Sequence, residues 1–267
     1  MPEPMPDEHY LGILFRALHI CAQYTPKFGR GRGGGVTLEQ FQAMYGADPF
    51  YNWIGLASPL MYAAHKAAGG MTSIYRQIGI GCESIFRQML AYHLGLTDDQ
   101  AGWSYEIRRG NTTQTLTLDG RIDLRHLQDE VIRERVENWL EAAKARAAVA
   151  PEIAAQLTGA VFEVRQGYKS KDAKRQNADI ANSVNAYQRF YLPVVALFST
   201  QIDEDIAERY EAQKWLMLIG TTEGASTQST YAFCRDVVGY DLAGFFERNS
   251  GEIKKEVETI LTRILTA

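Results

Sequence analysis

Two acidic residues stand in segments whose apolar residues alternate. In GRIDL, Ile122 and Leu124 take one side of an extended chain, so Asp123 takes the other, together with Arg121 and Arg125. In VFEVR, Glu163 and Arg165 share a face opposite Phe162 and Val164. If the two segments are neighbouring strands, Asp123 and Glu163 converge on one divalent cation with Arg165 beside it. Glu83, on a helical segment ahead of them, could supply a third oxygen. The chemistry that uses this set is phosphodiester hydrolysis. It needs a metal to polarise the phosphate and acidify water, and a protein cation to hold that water or the developing charge. Magnesium takes oxygen donors and keeps several waters, so one or two carboxylates suffice.

The neighbouring residues sharpen this expectation. A lone strand aspartate is most often solvated or a turn partner, but Asp123 is followed by Glu163 and then by a basic run. Arg165, Lys169, Lys171, Lys174 and Arg175 have only Asp172 against them. The run predicts phosphate contacts, with a solvated helix opening as the plain alternative. Lys27, Arg30 and Arg32 sit in the glycine-rich stretch 27–36. It is either a surface loop or a segment that orders on DNA, with Arg30 or Arg32 reading guanine or a narrow minor groove. Asn177, with Gln176, Asn182 and Asn185, is a candidate for base contact, although polar helix faces are the commoner use of such residues. Asp119, in the dipeptide Asp119-Gly120, is assigned to a turn. His19, His65 and His93 have no ligand spacing, and no P-loop, nucleophile elbow or His-rich metal motif occurs.

The elements that must position these residues follow from periodicity. Helices are expected over 10–24, in pieces over 37–75 with a Thr cap before LEQFQAMY, and over 81–96 with Ile85, Phe86, Met89, Leu90 and His93 on neighbouring faces. WSYEIRR (103–109) alternates, and TQTLTL-DG-RIDL reads as a hairpin turning at Asp119-Gly120. Helices at 126–149 and 151–157 precede a strand at 160–168. A helix at 171–190, a buried strand at 192–199, the helix DEDIAERYEAQ and a strand at 215–220 complete a βαβ pattern, and a last helix starts near 252. The expected fold class is α/β, a mixed sheet flanked by helices with helical insertions.

In this order the motifs resemble a known family. The helix GCESIFRQMLAYHLGL, then GRID, then FEVR, is similar to the PD-(D/E)xK nuclease superfamily. The longer run FEVRQGYKSKDAKRQNADIANSVNAYQRFYLPVVALFSTQID resembles type II restriction endonucleases of the ApaLI family. The superfamily-type match covers about residues 81–220 and the family-type match 160–205. The resemblance implies a restriction-endonuclease-like core, Asp123 and Glu163 as magnesium ligands, and Glu83 as a third acid or supporting acid. It also implies a homodimer on a short palindromic site in double-stranded DNA, functionally paired with a DNA methyltransferase. One position departs from the pattern: the lysine two residues after the second acid is here Arg165. Arginine stays protonated at working pH, so it can clamp phosphate or orient water but not act as a base. Lys169 is the second candidate for that role, if the chain bends at Gly167.

Composition sets bounds around these motifs. A chain of 267 residues, 46% hydrophobic and 22% charged, suits one domain. Its parts would be a mostly helical 1–80 with the glycine loop, a catalytic core 81–220, and a C-terminal part 221–267. A net charge of −4 argues against a uniformly basic DNA-binding surface, but its distribution is compatible with one basic cleft on an acidic body. The opening MPEPMPDEH does not read as a signal peptide, and no apolar run approaches the ~20 residues of a membrane span. Cys21, Cys82 and Cys234 match no zinc spacing and read as reduced thiols of a cytoplasmic protein. The competing functions are a structure-specific or repair nuclease of the same fold and a DNA-binding protein without catalysis.

Overall fold

The computed structural model describes residues 6–27, 34–110, 112–167 and 173–266. In chain order the elements are α1 (Asp7–Cys21), α2 (Leu38–Gly46), α3 (Pro49–Trp53), α4 (Pro59–His93), α5 (Asp98–Ala101), β1 (Trp103–Arg109), β2 (Thr112–Leu118), β3 (Gly120–Asp123), α6 (Glu130–Arg146), α7 (Pro151–Ala154), β4 (Gly159–Arg165), α8 (Ala173–Gln188), β5 (Tyr191–Leu197), α9 (Glu204–Ala212), β6 (Leu216–Leu218), α10 (Thr230–Phe233), α11 (Leu242–Arg248) and α12 (Ser250–Thr266). The sequence suits one domain, whereas the contacts group the chain into two compact units. One holds Cys82–Arg248 with the residues up to Asp7, the other Glu8–Gly81 with Asn249–Ala267.

The smaller unit is helical. Thr37 opens α2 with a capping box, its hydroxyl accepting from the Gln40 amide while the Gln40 side chain accepts from the Thr37 amide. Where periodicity predicts helix in pieces over 37–75 and a further helix over 81–96, one helix of 35 residues runs from Pro59 to His93. Two of its glycines are contact points rather than breaks. A Cβ on Gly70 would stand 2.4 Å from Ile264, and one on Gly81 2.9 Å from Leu14, so both admit close packing inside this unit.

The larger unit is built on a four-stranded mixed sheet in the order β3-β4-β5-β6. β3 runs antiparallel to β4, and β4, β5 and β6 run parallel, as the βαβ pattern predicts. Strands β4 and β5 read as near-continuous apolar runs because both faces are covered. On one face, Phe162 of β4 packs against the rings of Phe86, Trp139 and Phe233 from α4, α6 and α10. On the other, Val161 and Tyr191 join Trp103, Tyr105, Leu118 and Ala186.

One expectation needs correction here. Asp119-Gly120 is not a hairpin turn, because β2 pairs with β1 and not with β3. The dipeptide instead carries the chain from one sheet into the other, and the hairpin turns near Gly110, whose φ is +61°. Residues 221–251, which show no clear period in the sequence, hold α10, a π-helical turn at Cys234–Val238 and α11. Thr230 ties α10 to the sheet by hydrogen bonding to the carbonyls of Leu197 and Leu218. Among the described residues, no helix is long and apolar enough to cross a membrane.

Candidate active site

Strand register decides which acids can meet. In the antiparallel pair β3–β4, Gly120 stands opposite Phe162 and Asp123 opposite Gly159. Asp123 and Glu163 therefore share a face of the sheet, as alternation predicts, but they lie at opposite ends of the strand pair. Glu163 is four residues past Gly159, a separation of ~13 Å along the strand. Two carboxylates with metal–oxygen bonds of ~2 Å cannot close that gap on a single ion. The structure does not bring Asp123 and Glu163 together.

An acid beside Glu163 is Asp119, at the bend just ahead of β3, and two hydrogen bonds tie it to the residues that flank Glu163. The Asp119 amide donates to the Phe162 carbonyl at 2.8 Å, and the Val164 amide donates to Asp119 Oδ2 at 2.8 Å. The Asp119 carboxylate thus sits against the backbone just past Glu163, whose side chain shares a strand face with Arg165. Glu163 is buried, and its carboxylate is ion-paired with the Arg165 guanidinium, itself nearly buried. Assigning Asp119 to a hairpin turn misses this placement beside Glu163.

Helix α4 supplies the neighbouring groups. Arg87 Nε donates to the Asp119 carbonyl at 2.8 Å, and its Nη2 stands 4.0 Å from Asp119 Oδ1. Glu83, half-buried, lies one helical turn earlier on the same side of α4. The close approach of α4 needs Gly120, since a Cβ there would meet Leu90 at 3.1 Å and Phe86 at 3.3 Å. Sequence reasoning does not single out Arg87. Its four-residue spacing from Glu83, opposite the apolar stripe Phe86–Leu90, is the available signal.

Asp123 has a different use. It is fully buried, and its carboxylate accepts from Arg125 Nε at 2.9 Å and Nη2 at 2.6 Å, from the Arg125 amide at 3.0 Å, and from the Tyr191 hydroxyl at 2.8 Å. Tyr191 pairs with Gly159, and Gly159 with Asp123, so the tyrosine reaches across a position that has no side chain. A Cβ on Gly159 would stand 2.1 Å from the Ile122 carbonyl oxygen. Burial by itself would raise the Asp123 pKa, but the bonds from Arg125 and Tyr191 outweigh it and hold the carboxyl at about 2. This depression is a stability statement. The folded pKa lies below the unfolded value of ~3.9, so the contribution is complete above about pH 4 and disappears as pH falls through 2. Asp123→Asn is expected to cost about 2 kcal/mol in urea unfolding at pH 7. The gap between wild type and variant should close on acidification to pH 2; a gap constant with pH would remove the linkage.

The remaining candidates fall outside these contacts. Lys169, Lys171, Arg30 and Arg32 lie outside the described residues, as do the side chains of Lys174, Arg175 and Asn177, although α8 itself begins at Ala173. Asn182 is buried and accepts from the Tyr105 hydroxyl, so it serves the fold rather than an exposed polar face. Among the described residues no group of three or more His, Cys, Asp and Glu side chains stands together for a metal ion. Asp119 and Glu163 form a smaller set whose chemistry fits magnesium, which takes one or two carboxylates and completes its shell with water. No protein-family model, curated protein or solved structure matches the chain.

Proposed function

We propose that the chain is a magnesium-dependent endonuclease of the PD-(D/E)xK kind acting on double-stranded DNA. The observation that carries this is the Asp119 carboxylate held by the Val164 amide next to Glu163, with Arg165 paired to Glu163. In finer terms we read it as a type II restriction enzyme, a homodimer at a short palindromic site, paired with a methyltransferase that protects the same site.

Asp119 and Glu163 would hold the ion, whose bound form polarises the phosphate and makes water more acidic. The Val164 amide fixes one Asp119 oxygen, so this carboxylate needs no reorganisation when substrate arrives. Arg165 neutralises Glu163 in the resting protein and presents a permanently charged donor set beside the phosphate position. Water attacks phosphorus in line, the P–O3′ bond breaks, and the products carry a 5′-phosphate and a 3′-hydroxyl.

Arg165 discriminates a clamp from a base. Arg165→Ala is expected to lower kcat by roughly 10²-fold, in line with the loss of one transition-state donor. Arg165→Lys, which keeps the charge, should stay within about 10-fold of wild type. Equal loss in both variants would point to a geometric demand that only the guanidinium meets.

Incubation of the purified protein with phage DNA and magnesium tests the function. Discrete fragments with 5′-phosphate ends are expected, and chelation by EDTA should stop them. Cutting only at branches or ends would indicate a structure-specific nuclease. Salt-sensitive binding without any cleavage would overturn the catalytic assignment and leave a DNA-binding protein.

A further inference from the structure

We propose that the β1–β2 ribbon is a sequence-reading element that enters the major groove of duplex DNA. The proposal rests on the nuclease reading for its choice of partner, and its own grounds are the placement and chemistry of the ribbon. β1 and β2 form a sheet of their own with seven residue pairs, from Trp103–Leu118 at the root to Arg109–Thr112 at the tip. At strand spacing the ribbon is ~23 Å long.

Its two faces differ. Trp103, Tyr105 and Leu118 are buried at the root in the cluster with Val161, Ala186 and Tyr191, and Ile107 and Leu116 pack partly against it. The Tyr105 hydroxyl donates to Asn182 Oδ1 at 2.5 Å, and the Arg189 guanidinium lies 5.0 Å from the Tyr105 ring centre. An isolated two-stranded hairpin is marginally stable, so this root is what holds the ribbon in place. The opposite face pairs Ser104 with Thr117, Glu106 with Thr115 and Arg108 with Thr113, and all six are exposed. Gln114, near the tip, is exposed too but lies on the other face, paired with Ile107.

Core packing does not explain this outer composition. Threonine keeps a strand extended through its β-branch while presenting a hydroxyl and a methyl group. Arginine and threonine are side chains that meet guanine and the thymine methyl in the major groove, which is wide enough for a two-stranded ribbon. Placement supplies the second argument. Leu118 ends β2 and the next residue is Asp119, so the ribbon is directly continuous with a proposed metal ligand. With a tip ~20 Å away, the bases it reads should lie within ~6 base pairs of the cut phosphate.

The test uses the full chain with calcium in place of magnesium, so that binding is read without cleavage. Wild type and the double variant Arg108→Ala/Thr113→Ala are each incubated with a random duplex pool, and the bound fraction is sequenced. Wild type should enrich a short motif. The variant should bind within about 10-fold as tightly but lose roughly 10-fold or more of its preference at one or more positions. Matched thermal melting curves would confirm that both proteins are folded. An unchanged motif in the variant overturns the proposal, and so does a wild type that enriches no motif. If the variant keeps its motif but sedimentation shows that it no longer self-associates, the ribbon is a protein-pairing edge and the proposal is wrong. A parallel magnesium digest separates the two claims: an enriched motif without cleavage sinks the nuclease assignment and leaves the ribbon proposal standing.

Discussion

Glu163→Gln is expected to lower magnesium-dependent cleavage by at least about 10³-fold while changing duplex binding in calcium by less than about 10-fold. The substitution keeps the size of the side chain and removes one negative charge. Glu163 is buried in β4 and paired with Arg165, so the glutamine would still sit between the same strands. The fold survives because Phe162 and Val164, which flank it, point into the opposite apolar layer and are untouched. Catalysis does not survive, because an amide oxygen carries no formal charge for the ion and leaves Arg165 without its counter-charge. Circular dichroism and gel-shift binding should match wild type, and the digest should be blank. A variant that still cuts within about 10-fold of wild type would remove Glu163 from the site.

Asp119→Asn should give a loss of comparable size, whereas Asp123→Asn should not. The two acids are four residues apart, yet their surroundings differ. The Asp119 carboxylate accepts from the Val164 amide beside Glu163, and Arg87 of α4 donates to the Asp119 carbonyl. Asp123 is fully buried under Arg125 and Tyr191 at the far end of the strand pair. The Asp119→Asn change keeps an oxygen for the Val164 amide, so stability should change little while cleavage falls by roughly 10³-fold. The Asp123→Asn change gives up the charged bond to Arg125, so unfolding shifts while the active-site end of β3 remains in place. Cleavage by that variant, measured well below its melting transition, should stay within about 10-fold of wild type. The comparison is read as initial rate against urea midpoint for both variants. Loss of cleavage in the Asp123 variant at full folding, with retention in the Asp119 variant, would reverse the assignment.

The sequence made faces legible but not register. Alternation in FEVR correctly put Glu163 and Arg165 together, and alternation in GRIDL correctly put Asp123 on the side of the sheet that Glu163 uses. Nothing in a two-residue period says how far along a partner strand a residue falls, so the right face was paired with the wrong end. The turn assignment at Asp119-Gly120 has the same origin. Three alternating runs occur at 103–109, 112–118 and 120–123, and local pattern cannot choose which two form the hairpin. The choice is made by tertiary packing of Trp103, Tyr105 and Leu118 on β4 and α8. Helix α4 shows the limit from the other side. Gly69, Gly70, Gly79 and Gly81 look like breaks in isolation, and close contacts with Ile264 and Leu14 make at least two of them useful inside a helix. The βαβ half was legible because β4, β5 and β6 are apolar runs separated by helices of regular period.

Crystals soaked in manganese, with data collected for anomalous scattering, locate the ion. One strong anomalous peak is expected in each chain, within ~2.2 Å of oxygens from both Asp119 and Glu163 and absent from Glu163→Gln crystals. A peak beside Asp123, or none near residue 163 at saturating manganese, would contradict this placement.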